Sequence, residues 1–532
     1  MSRGESPRSG EERAGFIDAR QRSEGAAART RKYQAEVCVI GSGAGGATTA
    51  ALLAKAGHEV LVVEEGGYRT RADFDMREDV AFAHLYEEGG GRTTRDLGVA
   101  ILQGRTVGGG TVVNWTTCFR TPDAVLEHWR AQHGITGLSP AELAPHFAAI
   151  EERLHVAEIP LAESNRNNRL LYDGCAALGI AAAPTRRNVK QCMKTGYCGT
   201  GCPIDAKQSM LVTYLPDAVA AGARVLYRCR VDRLEIAAGR VVRAHCSVMG
   251  GATAREPTGD EIIIEARRFI VSAGSINSPA LLLRSGLGGP DSPLGKRLFL
   301  HPVVGVTGRF KEPVEAFYGA PQSIACHAFA HRGNDVGVFL EASPAQPMLA
   351  ALAVTGMGEA HREVMLELPR LTAHIALTID GFHPSERGGT VSLLPSGFPQ
   401  LDYPLPERIW EGLRFGLKKL AAIDLAAGAD LVRTGHDPAI EIRSEADLAK
   451  LERAPMATGR VAVFSAHQMG GCAMGPDPKR AVVRSEDLRH HAMENLHVVD
   501  GSVFPTSLGV NPQESIYGLA HLVATRLHAR WT

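Results

Sequence analysis

The stretch V-C-V-I-G-S-G-A-G-G, from Val37 to Gly46, predicts a buried strand that turns on glycine into a helix. Its glycines fit the pattern G-x-G-x-x-G. Gly41 allows a tight turn, Gly43 lets backbone approach a pyrophosphate, and Gly46 lets the helix pack on the strand. Free N–H groups and the positive dipole end at the helix start favour phosphate. The stretch therefore predicts a dinucleotide site, with these candidate cofactor-binding residues: Gly41, Ser42, Gly43, Ala44 and Gly46.

A second strand follows in H-E-V-L-V-V-E-E-G and ends at Glu64. Glu64 lies close to the ~20-residue offset expected for the acid that binds the ribose hydroxyls. A strand, turn and helix without any nucleotide is the alternative interpretation. The complete set of strand, helix, second strand and acid favours the nucleotide.

Two later stretches repeat the arrangement of a buried strand that runs into a turn of small residues. They are S-A-G-S-I-N-S-P, around Gly274, and V-V-D-G-S-V-F-P, around Gly501. One doubly wound sheet assembled from distant segments explains three such units better than three separate domains do. Residues 300–455 differ, with strand-like segments broken by Pro and Gly. They predict an inserted antiparallel sheet with helices.

The fold class is therefore α/β, a Rossmann-like domain assembled from discontinuous segments with an inserted α+β substrate domain. We assign residues 35–125, 204–300 and 456–532 to the nucleotide domain and residues 126–203 and 301–455 to the substrate or cap domain. Residues 1–34 are polar and are predicted to form a mostly disordered tail. Basic residues in this tail could touch an anionic membrane, but a solvated tail is favoured.

Composition excludes several classes of function. Lys+Arg and Asp+Glu both number 58 in 532 residues, which argues against a general nucleic-acid binder. A run of about 18 apolar residues is absent from the sequence, so we predict no transmembrane helix. Ten cysteines without a visible export signal indicate reduced thiols and a cytoplasmic location, with peripheral membrane contact as an alternative.

A glycine-rich stretch, Q-G-R-T-V-G-G-G-T-V-V-N-W, runs from Gln103 to Trp115. Three consecutive glycines before an apolar run indicate backbone that lies against a flat or charged group. A glycine-rich hairpin or bulge is the alternative. Ligand contact is favoured, since a dinucleotide site needs a second wall.

Together these motifs resemble those of the glucose–methanol–choline (GMC) oxidoreductases, from about Glu36 to the end of the chain. The resemblance also includes H-Q-M-G-G-C-A-M-G, from His467, and T-S-L-G-V-N-P, which contains Asn511. Within the family the sequence is most similar to long-chain fatty alcohol oxidases. A second histidine, typical of choline and glucose oxidases, is replaced here by Asn511.

The resemblance implies FAD as cofactor and a primary, apolar alcohol as substrate, oxidised to the aldehyde. His467 is the candidate base, because imidazole is neutral near pH 7, and Asn511 would fix the hydroxyl. Oxygen or another electron acceptor would reoxidise the flavin. His301 is treated as structural. The further candidate cofactor-binding residues are Gly109, Gly110, Asn114, Val231, Ala273, Asp500 and Gly501.

Three cysteines need separate weighing. Cys192, Cys198 and Cys202 have the spacing C-x5-C-x3-C followed by Pro203, which is compatible with an iron–sulfur cluster. We predict no metal. A dehydrogenase that relays electrons through such a cluster to a cytochrome or quinone is the alternative, and a sterol oxidase or a non-oxidising lyase or decarboxylase of this fold are others. The apolar run 347–358 would line a lipophilic tunnel, touch a membrane or form core helix.

Overall fold

The computed structural model describes residues 15–21 and 30–532. Its strands are β1 (Phe16–Asp18), β2 (Thr30–Ile40), β3 (Val60–Glu64), β4 (Ala100–Ile101), β5 (Thr117–Cys118), β6 (Val156–Glu158), β7 (Ala183–Pro184), β8 (Arg186–Asn188), β9 (Arg224–Tyr227), β10 (Cys229–Ala237), β11 (Arg240–Gly250), β12 (Glu256–Val271), β13 (Lys296–Leu298), β14 (Val303–Arg309), β15 (Ile324–Cys326), β16 (Gly337–Ala342), β17 (His374–Ile379), β18 (Gly389–Leu393), β19 (Pro399–Asp402), β20 (Leu431–Thr434), β21 (Glu441–Ile442), β22 (Phe464–Ser465) and β23 (Leu496–Val498).

The helices are α1 (Ala44–Lys55), α2 (Glu78–Leu85), α3 (Asp123–His133), α4 (Pro140–Arg153), α5 (Arg166–Ala177), α6 (Tyr214–Ala220), α7 (Gly274–Arg284), α8 (Pro347–Ala353), α9 (Glu359–Leu366), α10 (Glu407–Ala426), α11 (Ala449–Glu452) and α12 (Gln513–Trp531).

The first sheet has the strand order β1-β9-β3-β2-β12-β11-β10, with β23 beside β12. The strands that precede the three glycine turns are neighbours in it, because β12 pairs in parallel with both β2 and β23. Their carboxyl ends therefore meet at one edge, where ligands bind in open α/β sheets. The prediction of one sheet assembled from distant segments is confirmed.

The apolar sequences of β2 and β3 explain why both faces of these strands are buried. Val37 to Ile40 and all of β3 are buried, and β2 and β3 pair in parallel. Such continuous apolar runs are typical of strands with helices on both sides. The small residues of α1 let that helix pack closely against α12 and α6.

The second sheet has the order β21-β20-β14-β17-β16-β15-β7, and its neighbouring strands are antiparallel. Helix α10 covers it with a buried apolar face. This arrangement confirms the expected inserted α+β part. Two short strands from segments assigned to the nucleotide domain, β4 and β22, also pair here. The domain boundaries themselves stay a prediction.

The expectation of disorder for residues 1–34 is wrong for the parts of that segment that lie in strands. Phe16–Asp18 pairs in parallel with β9, and Thr30–Gln34 belongs to β2. Phe16 is buried and stacks on Tyr68, with ring centroids 4.6 Å apart. Apolar contacts thus order a polar segment. The remaining residues of that segment, 1–14 and 22–29, lie outside the described residues.

Among the residues described, none of the helices combines the length and apolar character needed to cross a bilayer.

Candidate active site

A cavity of about 800 Å³ lies at the carboxyl ends of the parallel strands, lined by the three glycine turns and by the glycine-rich stretch around Gly109 and Gly110. Fourteen of the fifteen sequence-predicted site residues line it, and Gly46 does not. Those that do are Gly41, Ser42, Gly43, Ala44, Glu64, Gly109, Gly110, Asn114, Val231, Ala273, His467, Asp500, Gly501 and Asn511.

The first glycine turn is held in place by close backbone contacts. Gly41 has φ +102°, and a Cβ there would lie 2.2 Å from the carbonyl oxygen of Ser272. A Cβ on Gly46 would lie 2.0 Å from the carbonyl oxygen of Gly41, so Gly46 permits the predicted helix–strand packing. Gly45 was missed, and a Cβ there would lie 1.9 Å from the carbonyl oxygen of Val499. Residues with side chains would force these segments apart.

Glu64 stabilises the same turn from the end of β3. Its carboxylate accepts hydrogen bonds from the Ser42 N–H at 3.1 Å, the Ser42 hydroxyl at 2.7 Å and the Gly66 N–H at 2.8 Å. Burial raises the pKa of the Glu64 carboxyl, and these donors oppose that shift. The acid is therefore fixed beside the glycine turn.

Asp500 connects the other two turns. Its carboxylate accepts from the Gly274 N–H at 2.8 Å, the Ser278 hydroxyl at 2.5 Å and the Ser502 N–H at 2.8 Å. Burial raises the pKa of Asp500 against these hydrogen bonds. Asp500 thereby holds the start of α7 against Gly501, so that both segments line the cavity.

The glycine-rich stretch forms a second wall, as predicted, and not a hairpin. A Cβ on Gly109 would lie 2.7 Å from the Cα of Gly43, so the two loops touch through their backbones. A Cβ on Gly110 would meet no atom of the described residues within 4 Å, because Gly110 faces the open cavity. Asn114 donates from its amide to Gln513 at 2.7 Å, which joins this wall to α12.

A buried lysine, missed in the sequence, holds this wall from behind. Lys207 donates from Nζ to the carbonyl oxygens of Val112, of Asn114 at 3.0 Å and of Cys198 at 2.7 Å. Burial lowers its pKa to about 8. Lys207 therefore joins the cysteine-containing loop to the wall of the cavity.

His467 and Asn511 come together although 44 residues separate them in the chain. The His467 Nε2 atom and the Asn511 amide nitrogen are 3.4 Å apart on the cavity wall. Burial lowers the pKa of His467 to about 4, so the ring is neutral at pH 7. A neutral imidazole and an amide at this distance can both contact one hydroxyl group.

His301, which was expected to be structural, contacts His467 directly. The Nδ1 atoms of the two rings are 3.2 Å apart. The backbone N–H of Gly509 donates to Nε2 of His301 at 3.0 Å. The turn before β14 places His301 here, and its proximity to His467 could not be inferred from a separation of 166 residues.

Glu341 is a further residue that the sequence analysis missed. It lies in β16 behind Asn511, whose amide nitrogen is 3.5 Å from Oε2, and the amide of Gln322 donates to Oε2 at 2.9 Å. Its Oε1 atom has no hydrogen-bond partner among the described residues. Burial raises the pKa of Glu341 to about 8. An acid inside the fully buried run G-V-F-L-E-A was the available signal.

The cysteine loop lies behind the glycine-rich wall. Cys192, Cys198 and Cys202 are half-buried free thiols. In the part of the chain that is described, groups of three His, Cys, Asp or Glu side chains able to hold a metal ion are absent.

Two family models described as GMC oxidoreductase match residues 82–303 and 384–520, together more than half of the chain. The chain belongs to the GMC oxidoreductase family. A model of the NAD(P)-binding Rossmann-like domain also matches this GMC oxidoreductase at residues 39–71, around the first glycine turn. The expected family and fold class are thus confirmed.

Named relatives agree with this assignment. The GMC oxidoreductase is 36% identical to an uncharacterised GMC-type oxidoreductase of Mycobacterium tuberculosis, over 93% of this chain and 76% of the relative. It is 31% identical to a long-chain-alcohol oxidase of Arabidopsis thaliana, over 93% of this chain and 67% of the relative. The structure of a pyridoxine 4-oxidase from Mesorbium loti matches with a TM-score of 0.69, 20% identity and coverage of 93% and 99%.

The cofactor of this GMC oxidoreductase is FAD, and the protein is an oxidoreductase that acts on CH–OH donors. The site fits FAD, because the Gly43–Gly109 contact leaves only backbone beside the helix N-terminus and the space beside Gly110 is open. Gly41 to Ala44 and Glu64 would hold the nucleotide part. Gly110, Asn114 and Gly501 would lie along the ring.

Proposed function

We propose that this protein oxidises a primary, long-chain or otherwise apolar alcohol to the aldehyde. The observation that carries the proposal is the neutral His467 within 3.4 Å of the Asn511 amide on the wall of the FAD cavity. The 31% identity to a long-chain-alcohol oxidase supports the substrate class.

The reaction removes a proton from the hydroxyl and a hydride from the adjacent carbon. Bound FAD supplies the acceptor for the hydride and its two electrons. His467 receives the hydroxyl proton, and Asn511 fixes the hydroxyl oxygen. Because burial keeps His467 neutral, the ring has capacity to take up one proton at working pH. Oxygen or another electron acceptor would then reoxidise the cofactor.

The substrate class can be tested by mixing the oxidised protein with alcohols in the absence of oxygen. We expect loss of the yellow flavin colour to become faster as a primary alcohol lengthens from butanol to hexadecanol. Faster bleaching by cholesterol would favour the sterol alternative instead. Bleaching by none of these alcohols would refute the proposal and revive a non-oxidising reaction.

Replacement of His467 by alanine tests the catalytic assignment. We expect the His467→Ala variant to keep its FAD and to bleach about 10²–10⁴-fold more slowly with the best alcohol. Anaerobic stopped-flow absorbance gives the rate. His331→Ala is the matched control, because His331 is exposed. A His467→Ala variant that bleaches at the wild-type rate would show that His467 is not the base.

Elemental analysis decides the electron-relay alternative. We expect protein purified without oxygen to contain FAD and no stoichiometric iron. About three or four iron atoms per chain would instead assign a cluster to Cys192, Cys198 and Cys202.

A further inference from the structure

A chain of hydrogen bonds ends at the candidate catalytic pair. The Gly509 N–H donates to Nε2 of His301 at 3.0 Å, and Nδ1 of His301 lies 3.2 Å from Nδ1 of His467. Nε2 of His467 then lies 3.4 Å from the Asn511 amide. Both histidines are neutral at pH 7, because burial lowers the pKa of each well below its ordinary value.

The first link fixes the direction of the chain. A backbone N–H is a donor whatever the protonation state of its neighbours. Nε2 of His301 must therefore accept from Gly509, and it carries no proton. A neutral imidazole holds one proton, so His301 carries it on Nδ1.

The second link transmits that choice to His467. The N–H at Nδ1 of His301 points at Nδ1 of His467, and two donors cannot face each other at 3.2 Å. Nδ1 of His467 therefore accepts, and the single proton of this ring sits on Nε2. The hydrogen bond of one ring nitrogen thus sets the state of the other.

We propose that His301, oriented by the Gly509 amide, is a positioning residue that fixes the tautomer of His467 with its N–H at Nε2, toward the cavity. In the resting protein, the Nε2–H group of His467 would then donate a hydrogen bond to the oxygen of an alcohol. Proton uptake at Nε2 requires the chain to reverse, which would set an N–H on His301 against the Gly509 N–H. His301 thereby restrains the base form of His467. The tautomer assignment stands by itself, and only its effect on catalysis rests on the proposed function.

This tautomer requires the side-chain amide of Asn511 to turn over, because its nitrogen, a donor, now faces Nε2 of His467 at 3.4 Å. Oδ1 of Asn511 and Oε1 of Glu341 are buried without a partner among the described residues. The two ends of an amide are interchangeable in shape. A half-turn of the amide would place its oxygen between the Nε2–H of His467 and a neutral Glu341, which burial keeps protonated by raising its pKa to about 8. Both then donate to one oxygen.

The backbone of His301 is held in an uncommon conformation. Its φ is +45°, in the left-handed region, which residues other than glycine rarely adopt. The carboxylate of Asp380 accepts from the N–H groups of Leu300 and His301, both at 3.1 Å. Strain persists where the surroundings maintain it, and such positions cluster at functional sites.

The other titratable groups near the two rings come from separate elements. Glu341 reaches His467 through Asn511, and Asp380 contacts the main chain of His301. His327 stacks on Phe339, which in turn contacts the ring of His301 edge-on. Burial lowers the pKa of His327 to about 4. None of these three neighbours sets the direction of the hydrogen bonds between the two rings, which therefore depends on the Gly509 amide.

Neutron diffraction from crystals of the FAD-bound protein soaked in D₂O tests the tautomer directly. We expect deuterium on Nδ1 of His301 and on Nε2 of His467. Deuterium on Nδ1 of His467 would overturn the proposal. The measurement needs no alcohol, so its outcome is independent of whether the proposed oxidation is correct.

Two variants test whether His301 is responsible. Nitrogen-15 NMR of labelled histidine in the FAD-bound protein follows the titration of His467, assigned with a His467→Asn variant. We expect His301→Leu to raise the pH midpoint of His467 by about one unit, because the protonated ring no longer meets a donor at Nδ1. His301→Gln is the matched control, since its amide can accept from Gly509 and donate to His467. An unchanged midpoint in FAD-bound His301→Leu would refute the proposal.

Discussion

At the scale of single residues, the site depends on which groups are kept neutral by burial. Burial lowers the pKa of His467 to about 4, so the ring is neutral above that pH. Burial raises the pKa of Glu341 to about 8, so the carboxyl is neutral below that pH. Between these values neither side chain is charged, which would suit the proposed apolar alcohol. Desolvation causes both shifts, since it penalises the charged form of an acid and of a base alike.

Glu341→Gln should become more stabilising as pH rises. An unfolded glutamate loses its proton near pH 4.5, whereas folded Glu341 keeps it to about pH 8, so wild-type stability falls between these values. Glutamine has no such loss. The difference should reach about 3 kcal/mol at pH 7 and level off above pH 8.

Thermal unfolding of the FAD-bound protein at pH 5, 7 and 9 measures this trend. The exposed Glu312→Gln variant serves as the control. A difference between Glu341→Gln and wild type that does not vary with pH would mean that Glu341 is ionised in the folded protein.

The Gly110→Ala variant distinguishes an effect on the stability of the protein from an effect on FAD binding. A Cβ at this position meets no described atom within 4 Å, yet it enters the cavity. We therefore expect the apoprotein to melt at the wild-type temperature while the dissociation constant for FAD rises at least about tenfold, the equivalent of 1.4 kcal/mol. Quenching of flavin fluorescence gives the affinity.

The matched variant is Gly45→Ala, whose Cβ would lie 1.9 Å from the carbonyl oxygen of Val499. It should destabilise the apoprotein itself. If Gly110→Ala binds FAD as tightly as wild type, Gly110 does not face the cofactor.

At the scale of elements, the cavity is closed by loops that are fastened from behind. Lys207 holds the carbonyl oxygens of Val112, Asn114 and Cys198, and Asp500 holds the starts of two segments. A buried charge that serves three backbone acceptors is expensive to remove, because each unpaired carbonyl costs about 1–3 kcal/mol.

Lys207→Met should loosen the wall formed by residues 108–114. We expect the variant to release FAD faster and to bind it at least about tenfold more weakly. Gel filtration followed by the absorbance ratio of flavin to protein measures retention. Lys450→Met, at an exposed position, is the control. Full retention of FAD by Lys207→Met would show that the wall is stable without this residue.

At the scale of the whole molecule, the apolar run 347–358 is divided between core and surface, because Met348, Leu349 and Ala350 pack on the core and later residues are exposed. Leu352 and Met357 are 72% and 90% exposed, whereas Ala350 is buried. The carboxylate of Glu78 accepts from the N–H groups of Met348 and Leu349, which fixes α8 against α2. We propose that this surface touches a lipid layer, from which a long-chain alcohol would enter.

The double variant Leu352→Ser and Met357→Ser should sediment less with phosphatidylcholine vesicles than wild type does. Its FAD content and its rate with a short alcohol should not change, because the two side chains point away from the protein. Leu97→Ser, at a site 77% exposed, is the control. Equal sedimentation of all three proteins would exclude this surface.

Much of the fold was predictable because local patterns and global pairing agree. The stretches before Gly41, Gly274 and Gly501 were buried apolar runs followed by small residues, and all three strands lie side by side in one sheet. Strand β1 was not predictable, since three residues in a polar segment carry no period. Its order comes from pairing with β9 and from the Phe16–Tyr68 contact.

The sequence by itself determined the FAD-binding fold and most of the predicted residues that line the cavity, His467 and Asn511 among them, because glycine patterns and motifs are local. Only the tertiary structure decided what surrounds that pair. Glu341, His301 and Lys207 come from other segments, and each acquires its state from burial and from a partner far away in the chain. The donor-to-acceptor direction of the hydrogen bonds that lead to His467 is set by one backbone N–H, that of Gly509. Every residue except proline has such a group, so no sequence pattern could mark it.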